Sequence, residues 1–219
     1  MKAKESCIPR IAAAYLAALV LLACSPTFAF AHLLCSLDAS MGYIFVSEAG
    51  GTPWFSNTIF PSVSLDLGGD TWAIGVSVDY AENADSYQGS VPGYSDTLDS
   101  VEKRLSNASF RLFARIFPGG REKLVSPYLG LGVGPALTYV EYEGKNTGRR
   151  ESDSAVRVSY AVSVGSKLRI GNSPFSAFIE GSFGGLGALA SSNEDASVAV
   201  PEKGFDFVGV AAGLGVTFH

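Results

Sequence analysis

Few residues of this 219-residue chain can do chemistry, and their placement limits which chemistry is open. The two histidines are His32 and His219, so a Ser-His hydrolytic pair in the body of the chain has no base. Gly75-Val76-Ser77-Val78 begins like a nucleophile elbow, but Asp79 stands where that motif needs glycine. Gly130-Leu131-Gly132-Val133-Gly134 has the spacing of part of a dinucleotide fingerprint, yet Pro135 follows and no helical pattern does. Asn107-Ala108-Ser109 matches a glycosylation sequon inside an alternating segment and carries no message there. No Cys/His cluster has metal-ligand spacing. The expectation is therefore a non-enzymatic protein with no catalytic residue, cofactor or metal.

The charged residues are more informative. Asp38, Asp66, Asp79 and Glu180, and against them Arg111, Arg115, Arg157 and Lys167, occur within segments where apolar and small residues alternate. All eight fall in the register opposite to the large apolar side chains, Lys167 just beyond the clean alternation. If that register faces the inside of a narrow closed sheet, opposite charges are near enough to pair, and any left unpaired would be costly. Two readings follow: a salt-bridged plug that shuts the lumen, or a charged lining for a narrow ion or solute path. Gly130, Gly132, Gly134, Gly165, Gly213 and Gly215 share the inward register and would leave room for the long arginines.

The elements that must position these residues are strands. Eight segments show a period of two, near residues 37–46, 59–67, 72–80, 107–116, 129–139, 156–165, 175–183 and 207–218. The last alternates Val208, Val210, Ala212, Leu214, Val216 and Phe218 with Gly209, Ala211, Gly213, Gly215 and Thr217. Gly68-Gly69-Asp70, Pro118-Gly119-Gly120 and Gly171-Asn172-Ser173 mark short turns. Long polar connections are expected at 48–56, 82–104, 143–154 and 184–203. Alternating short and long connections between an even number of strands of about ten residues specify an eight-stranded antiparallel up-and-down transmembrane β-barrel. Trp72, Phe175 and Phe218 would form an aromatic girdle at one end, and Phe45, Tyr80, Tyr139 and Phe183 at the other. Pro61 and Pro135 sit inside strands, where a missing N–H predicts a bulge at each. A soluble β-sandwich or lipocalin is the alternative fold.

Composition agrees with a membrane setting. Charged residues are 17% of the chain and the net charge is −5, with no basic footprint for nucleic acid. Residues 1–31 read as a signal peptide: Lys2, Lys4 and Arg10 precede an apolar run from Ile11 to Ala23, too short to span a bilayer. Ala29-Phe30-Ala31 offers one cleavage site and leaves 32–219 as the barrel domain. Leu21-Leu22-Ala23-Cys24 resembles a lipobox and offers a second site, with acylation of Cys24. After the first cleavage Cys35 is the one cysteine left, so no disulfide framework exists.

Two segments carry a family resemblance. Gly213-Leu214-Gly215-Val216-Thr217-Phe218 looks like the C-terminal signal read by the barrel assembly machinery, with Gly213, Val216 and Phe218 at the matching positions and His219 one residue beyond. Pro127-Tyr128-Leu129-Gly130-Leu131-Gly132-Val133-Gly134 resembles a strand of small barrels in the OmpA-like, opacity-like and OmpW-like group. The resemblance implies a Gram-negative outer membrane, with lipopolysaccharide-type surroundings and loops outside that could meet a host ligand. It implies a surface, structural or adhesion role. The alternative is a narrow OmpW-like porin, and a lipid-modifying barrel enzyme is a third possibility weakened by the missing internal histidine.

Overall fold

A computed structural model describes residues 33–47, 57–94, 98–191 and 204–218. The leader with both cleavage sites, His32, His219 and residues 48–56, 95–97 and 192–203 of three connections lie outside the described residues.

The described chain forms β1 (Leu34–Ser47), β2 (Thr58–Gly68), β3 (Trp72–Gly89), β4 (Asp99–Ile116), β5 (Val125–Gly144), β6 (Arg150–Arg169), β7 (Phe175–Ser191) and β8 (Phe205–Phe218). Each strand pairs antiparallel with the next in sequence, and β8 returns to β1 to close the barrel. Closure removes the free edges that an open sheet would present. The large apolar residues point outward: Met41, Ile59, Ile74, Leu112, Leu131, Val164, Ile179 and Leu214 are all more than half exposed. The buried positions are instead rich in alanine, serine, aspartate, arginine and lysine. This arrangement is inside-out relative to a water-soluble barrel, and an apolar exterior of this extent needs an apolar solvent. Trp72, Phe175 and Phe218 lie exposed at the short-turn end, and Phe45 and Phe183 lie exposed towards the other. Tyr43, with its ring edge-on to Phe45, adds to the second group.

Three expectations need correction. First, most of 82–104 and much of 143–154 is strand: β3 and β4 pair from Trp72↔Ile116 out to Gly89↔Asp99, and β5 and β6 pair out to Glu143↔Arg150. The large apolar residues of the outward face stop where that face meets water, while Val101 and Leu105 stay buried on the other and the hydrogen-bond ladder continues. Likewise β7 continues to Ser191 through residues expected in a loop. Second, neither proline makes a bulge. Pro61 pairs in register with Met41, and the β2–β3 ladder ends beside it at Ser62↔Asp79. Pro135 pairs with Val158, while the β4–β5 ladder skips from Ser109↔Ala136 to Leu112↔Val133. Each missing N–H thus sits at a gap in one ladder, with no extra residue inserted. The irregularity lies elsewhere, in β6–β7 between Val156 and Ser159.

Third, not all of the inward glycines make room for arginines: Gly165 and Gly213 lie under the rings of their cross-strand partners Tyr128 and Phe178, as do Gly42 under Phe60, Gly75 under Phe113 and Gly184 under Phe207. A Cβ at Gly42, Gly165 or Gly213 would come within 2.4–2.7 Å of the ring, so each pair behaves as a ring seated in a slot. Gly130, beside Cγ of Arg115 at 3.4 Å, is a glycine that does border an arginine.

Candidate functional site

The lumen has three levels. At the short-turn end is a charged floor. Asp38 on β1 accepts hydrogen bonds from Lys167 Nζ at 2.7 and 2.8 Å and from Arg115 Nη1 at 3.1 Å. Arg115 also lies 3.5 Å from Asp66 and 3.4 Å from Glu180, which accepts a hydrogen bond from the Tyr128 hydroxyl at 2.9 Å. The guanidinium packs on the Phe113 and Tyr128 rings, 4.5 and 5.0 Å from their centroids. Asp38, Asp66, Arg115 and Lys167 are each less than a tenth exposed. Beneath them Phe117, completely buried, packs with Ala73 and Tyr128.

One member of this floor escapes the alternation altogether. Arg121 belongs to the β4–β5 turn, yet its Nη2 donates to Asp66 and, at 2.7 Å, to Ser36. The turn is held by Asp70 of the β2–β3 turn, whose carboxylate and backbone carbonyl accept from the Arg121 N–H at 2.7 and 2.8 Å. Gly120, at φ 89°, lets the chain reverse there against the Asp70 carboxylate. No strand-period argument finds a turn residue folded back into the barrel. The Asp70 and Pro118-Gly119-Gly120 turn signals were the nearest clue.

Above the floor, Asp79 and Arg111 form a separate ion pair between β3 and β4. They border a cavity of about 100 Å³ lined also by Ser40, Ser62, Ser77, Ser163 and Ser182. Phe60, Phe113, Phe178 and Phe207 share its walls, and its volume has room for several waters. Arg157, wholly buried, donates to the Gly187 carbonyl at 3.1 Å, next to the β6–β7 irregularity. A two-residue period gives the face of such a residue but not its height along the barrel.

The third level is apolar. Ile44, Ala81, Leu105, Val140 and Ala155 form a buried cluster, with Val46, Phe60, Tyr142, Phe205 and Phe207 packed against it. This collar packs across the lumen on the long-hairpin side, with Ile44, Phe60, Ala81, Phe205 and Phe207 among the walls of the chamber. Beyond it the outer halves of β3, β4, β5 and β6 form one four-stranded sheet, since Val101↔Gly144 through Leu105↔Val140 join the two hairpins. Strands of 18–20 residues exceed the ~9–11 needed to cross a bilayer, so this sheet projects roughly 20–30 Å along the strands.

Asp99 ties the projecting sheet together. Its carboxylate accepts from the Thr147 hydroxyl at 2.7 Å and from the N–H groups of Thr147 and Asn146 at 3.0 Å and Ser100 at 2.7 Å. These bonds, the Thr147 hydroxyl first, hold its pKa down to about 2. Arg149 stacks on Tyr94, 4.5 Å from the ring centroid, and Glu102 bridges Lys145 and Arg104 on the outer face.

Of the C-terminal residues, Gly213 lies under Phe178, and Val216 pairs with both Leu37 and Phe175. Phe218 pairs with Cys35, half exposed on the outer surface.

No protein-family model matches the chain, and no curated protein matches it by sequence. Among solved structures it is similar to neisserial surface protein A, at 13% identity and a TM-score of 0.52, over 85% of this chain and 97% of that one. It is similar in the same way to a major outer membrane protein from Thermus thermophilus, at 14% identity and a TM-score of 0.52, over 84% and 99%. At such identities the likeness establishes the shared barrel fold.

Proposed function

We propose that the protein is an integral outer-membrane barrel whose task is to hold a stiff surface sheet outside the cell, in a structural, adhesion or host-contact role. The single observation behind this reading is the contrast between a filled lumen and an elaborate projecting sheet. Charged floor and apolar collar close the barrel at two levels, while β3–β6 extend past the apolar belt and are clamped at their tips by Asp99. Recognition residues mounted on a rigid scaffold beyond the membrane suit contact with a partner. Tyr87 and Tyr94 stand exposed there, with Arg149 against Tyr94, and Tyr and Arg are common anchors of protein contacts. That two similar barrels are a neisserial surface protein and a major outer membrane protein is consistent with this setting.

In this reading the long hairpins face outward from the cell, the surroundings are lipopolysaccharide-type lipid, and Gly213, Val216 and Phe218 are read by the barrel assembly machinery. A membrane-impermeant amine reagent on intact cells tests the orientation. Lys145, half exposed at the β5–β6 tip, should label, and Lys123 at the short-turn end should not. The reverse pattern sinks the proposal.

A narrow channel for small solutes is the second reading, and the chamber beside Asp79 and Arg111 is what favours it. It requires both seals to open, whereas the surface reading requires neither.

A further inference from the structure

At the short-turn mouth the floor network turns a second face towards the outside, and that face is basic. Arg121, Lys123, Lys167 and Arg169 line a small recess of about 30 Å³, with Glu122 the one acid among its walls and Ser36, Ser126, Ser176 and Thr217 contributing hydroxyls. The recess is preformed. Arg169 is fixed by donation from Nε to the Ser173 carbonyl and from Nη1 to the Glu122 carbonyl, both at 3.3 Å. The Arg121 side chain is 4% exposed and stacks over Phe117, 5.1 Å from the ring centroid.

The acids of the floor satisfy only part of this charge. Asp38 takes Lys167, and Asp66 takes Nη2 of Arg121, both from the chamber side. Nη1 of Arg121 and the Ser176 hydroxyl are buried with no hydrogen-bond partner among the described residues, and so is Asp66 Oδ2, which instead faces Arg115 Nη1 at 3.5 Å. A buried guanidinium N–H left without an acceptor is costly, and a second orphaned donor in the same recess points to one missing acceptor. Two nitrogen and hydroxyl donors, with two further cations at the rim, match an oxyanion.

We propose that the short-turn mouth is a binding site for a single oxyanion group, phosphate or carboxylate, held by Arg121 Nη1 and Ser176 Oγ with Arg169 and Lys123 at the rim. A volume of about 30 Å³ has room for the oxygen end of one such group and not for a whole larger molecule, so the group would be free in solution or would be the exposed end of something larger, including a lipid headgroup.

The test uses the full-length mature barrel refolded in uncharged detergent. Inorganic phosphate and acetate are titrated by calorimetry, and phosphatidylglycerol retention is followed by native mass spectrometry. Binding in at least one arm is expected, weakened about tenfold by Arg121→Lys, which keeps the charge facing Asp66 but removes the spare N–H, and also by Ser176→Ala. Binding of phosphate or acetate assigns a soluble source, and binding of the lipid alone assigns a headgroup. If Arg121→Lys fails to fold, Ser176→Ala and Arg169→Gln decide. No binding in any arm, or binding that these variants leave unchanged, overturns the proposal.

Discussion

The two ends of this lumen are closed by opposite chemistry. The floor is a lattice in which Asp38, Asp66, Arg115, Arg121, Lys167 and Glu180 answer one another through defined hydrogen bonds. The collar is a packing of Ile44, Leu105, Val140 and their neighbours with no charge to match. The difference predicts how each fails. Removing one partner from the floor strands a charge in a place where water is scarce. Removing a side chain from the collar leaves a gap of its own size.

The largest effect should therefore come from Asp38→Ala, which leaves both Lys167 and Arg115 short of an acceptor. Equilibrium urea unfolding in detergent should show a loss of about 3–5 kcal/mol. Replacing the pair together, Asp38→Leu with Lys167→Met, should recover part of that, because Lys167 is no longer stranded and Arg115 keeps Asp66 and Glu180. A double variant as unstable as Asp38→Ala would mean that the floor acts through shape and not through charge. Leu105→Ala in the collar should cost about 2–5 kcal/mol by the same measurement, towards the lower end because the collar borders a cavity able to adjust. No second substitution of opposite charge could repair it.

The smallest effect lies beyond the barrel. Asp99→Ala should leave barrel unfolding unchanged and speed proteolysis at residues 145–149 of the β5–β6 tip. Asp99 has its folded pKa lowered to about 2 from an ordinary value of 3.8, so the clamp is present above about pH 4 and is lost as pH falls towards 2. Protection of the Asn146 and Thr147 amides, the exchange rate taken relative to the intrinsic rate at each pH, should fall over that window in the wild-type protein and show no such step in Asp99→Ala. A tip equally protected at pH 5 and pH 2 would remove Asp99 from its clamping role.

How far this was legible in the sequence follows from the same contrast. In the membrane belt, a two-residue period with large apolar residues on one face was enough to place all eight strands and to put Asp38, Asp66, Arg115, Lys167 and Glu180 on the lumen side. It gave no height along the barrel, so it could not place Arg157 beside the Gly187 carbonyl. Above the belt the large apolar residues of the outward face stop because that face is wet, so residues 82–89 read as loop although they pair residue by residue with 99–106. Arg121 was invisible for another reason: a turn residue enters the lumen only once Asp70 and Gly120 have folded its turn back. The glycines were legible as small residues on the inner face, but their role as slots for Phe60, Tyr128 and Phe178 depends on cross-strand register, which no single strand contains.

The central claim, that the barrel is a filled scaffold sealed at two levels, is tested most directly by planar-bilayer conductance. The wild-type protein, Asp38→Ala alone and a collar variant such as Leu105→Ser alone should each show no discrete conductance steps, since one seal remains in every case. The combined floor and collar variant should conduct. Stable unitary steps from the wild-type barrel would contradict the account and make the chamber beside Asp79 and Arg111 part of an open path.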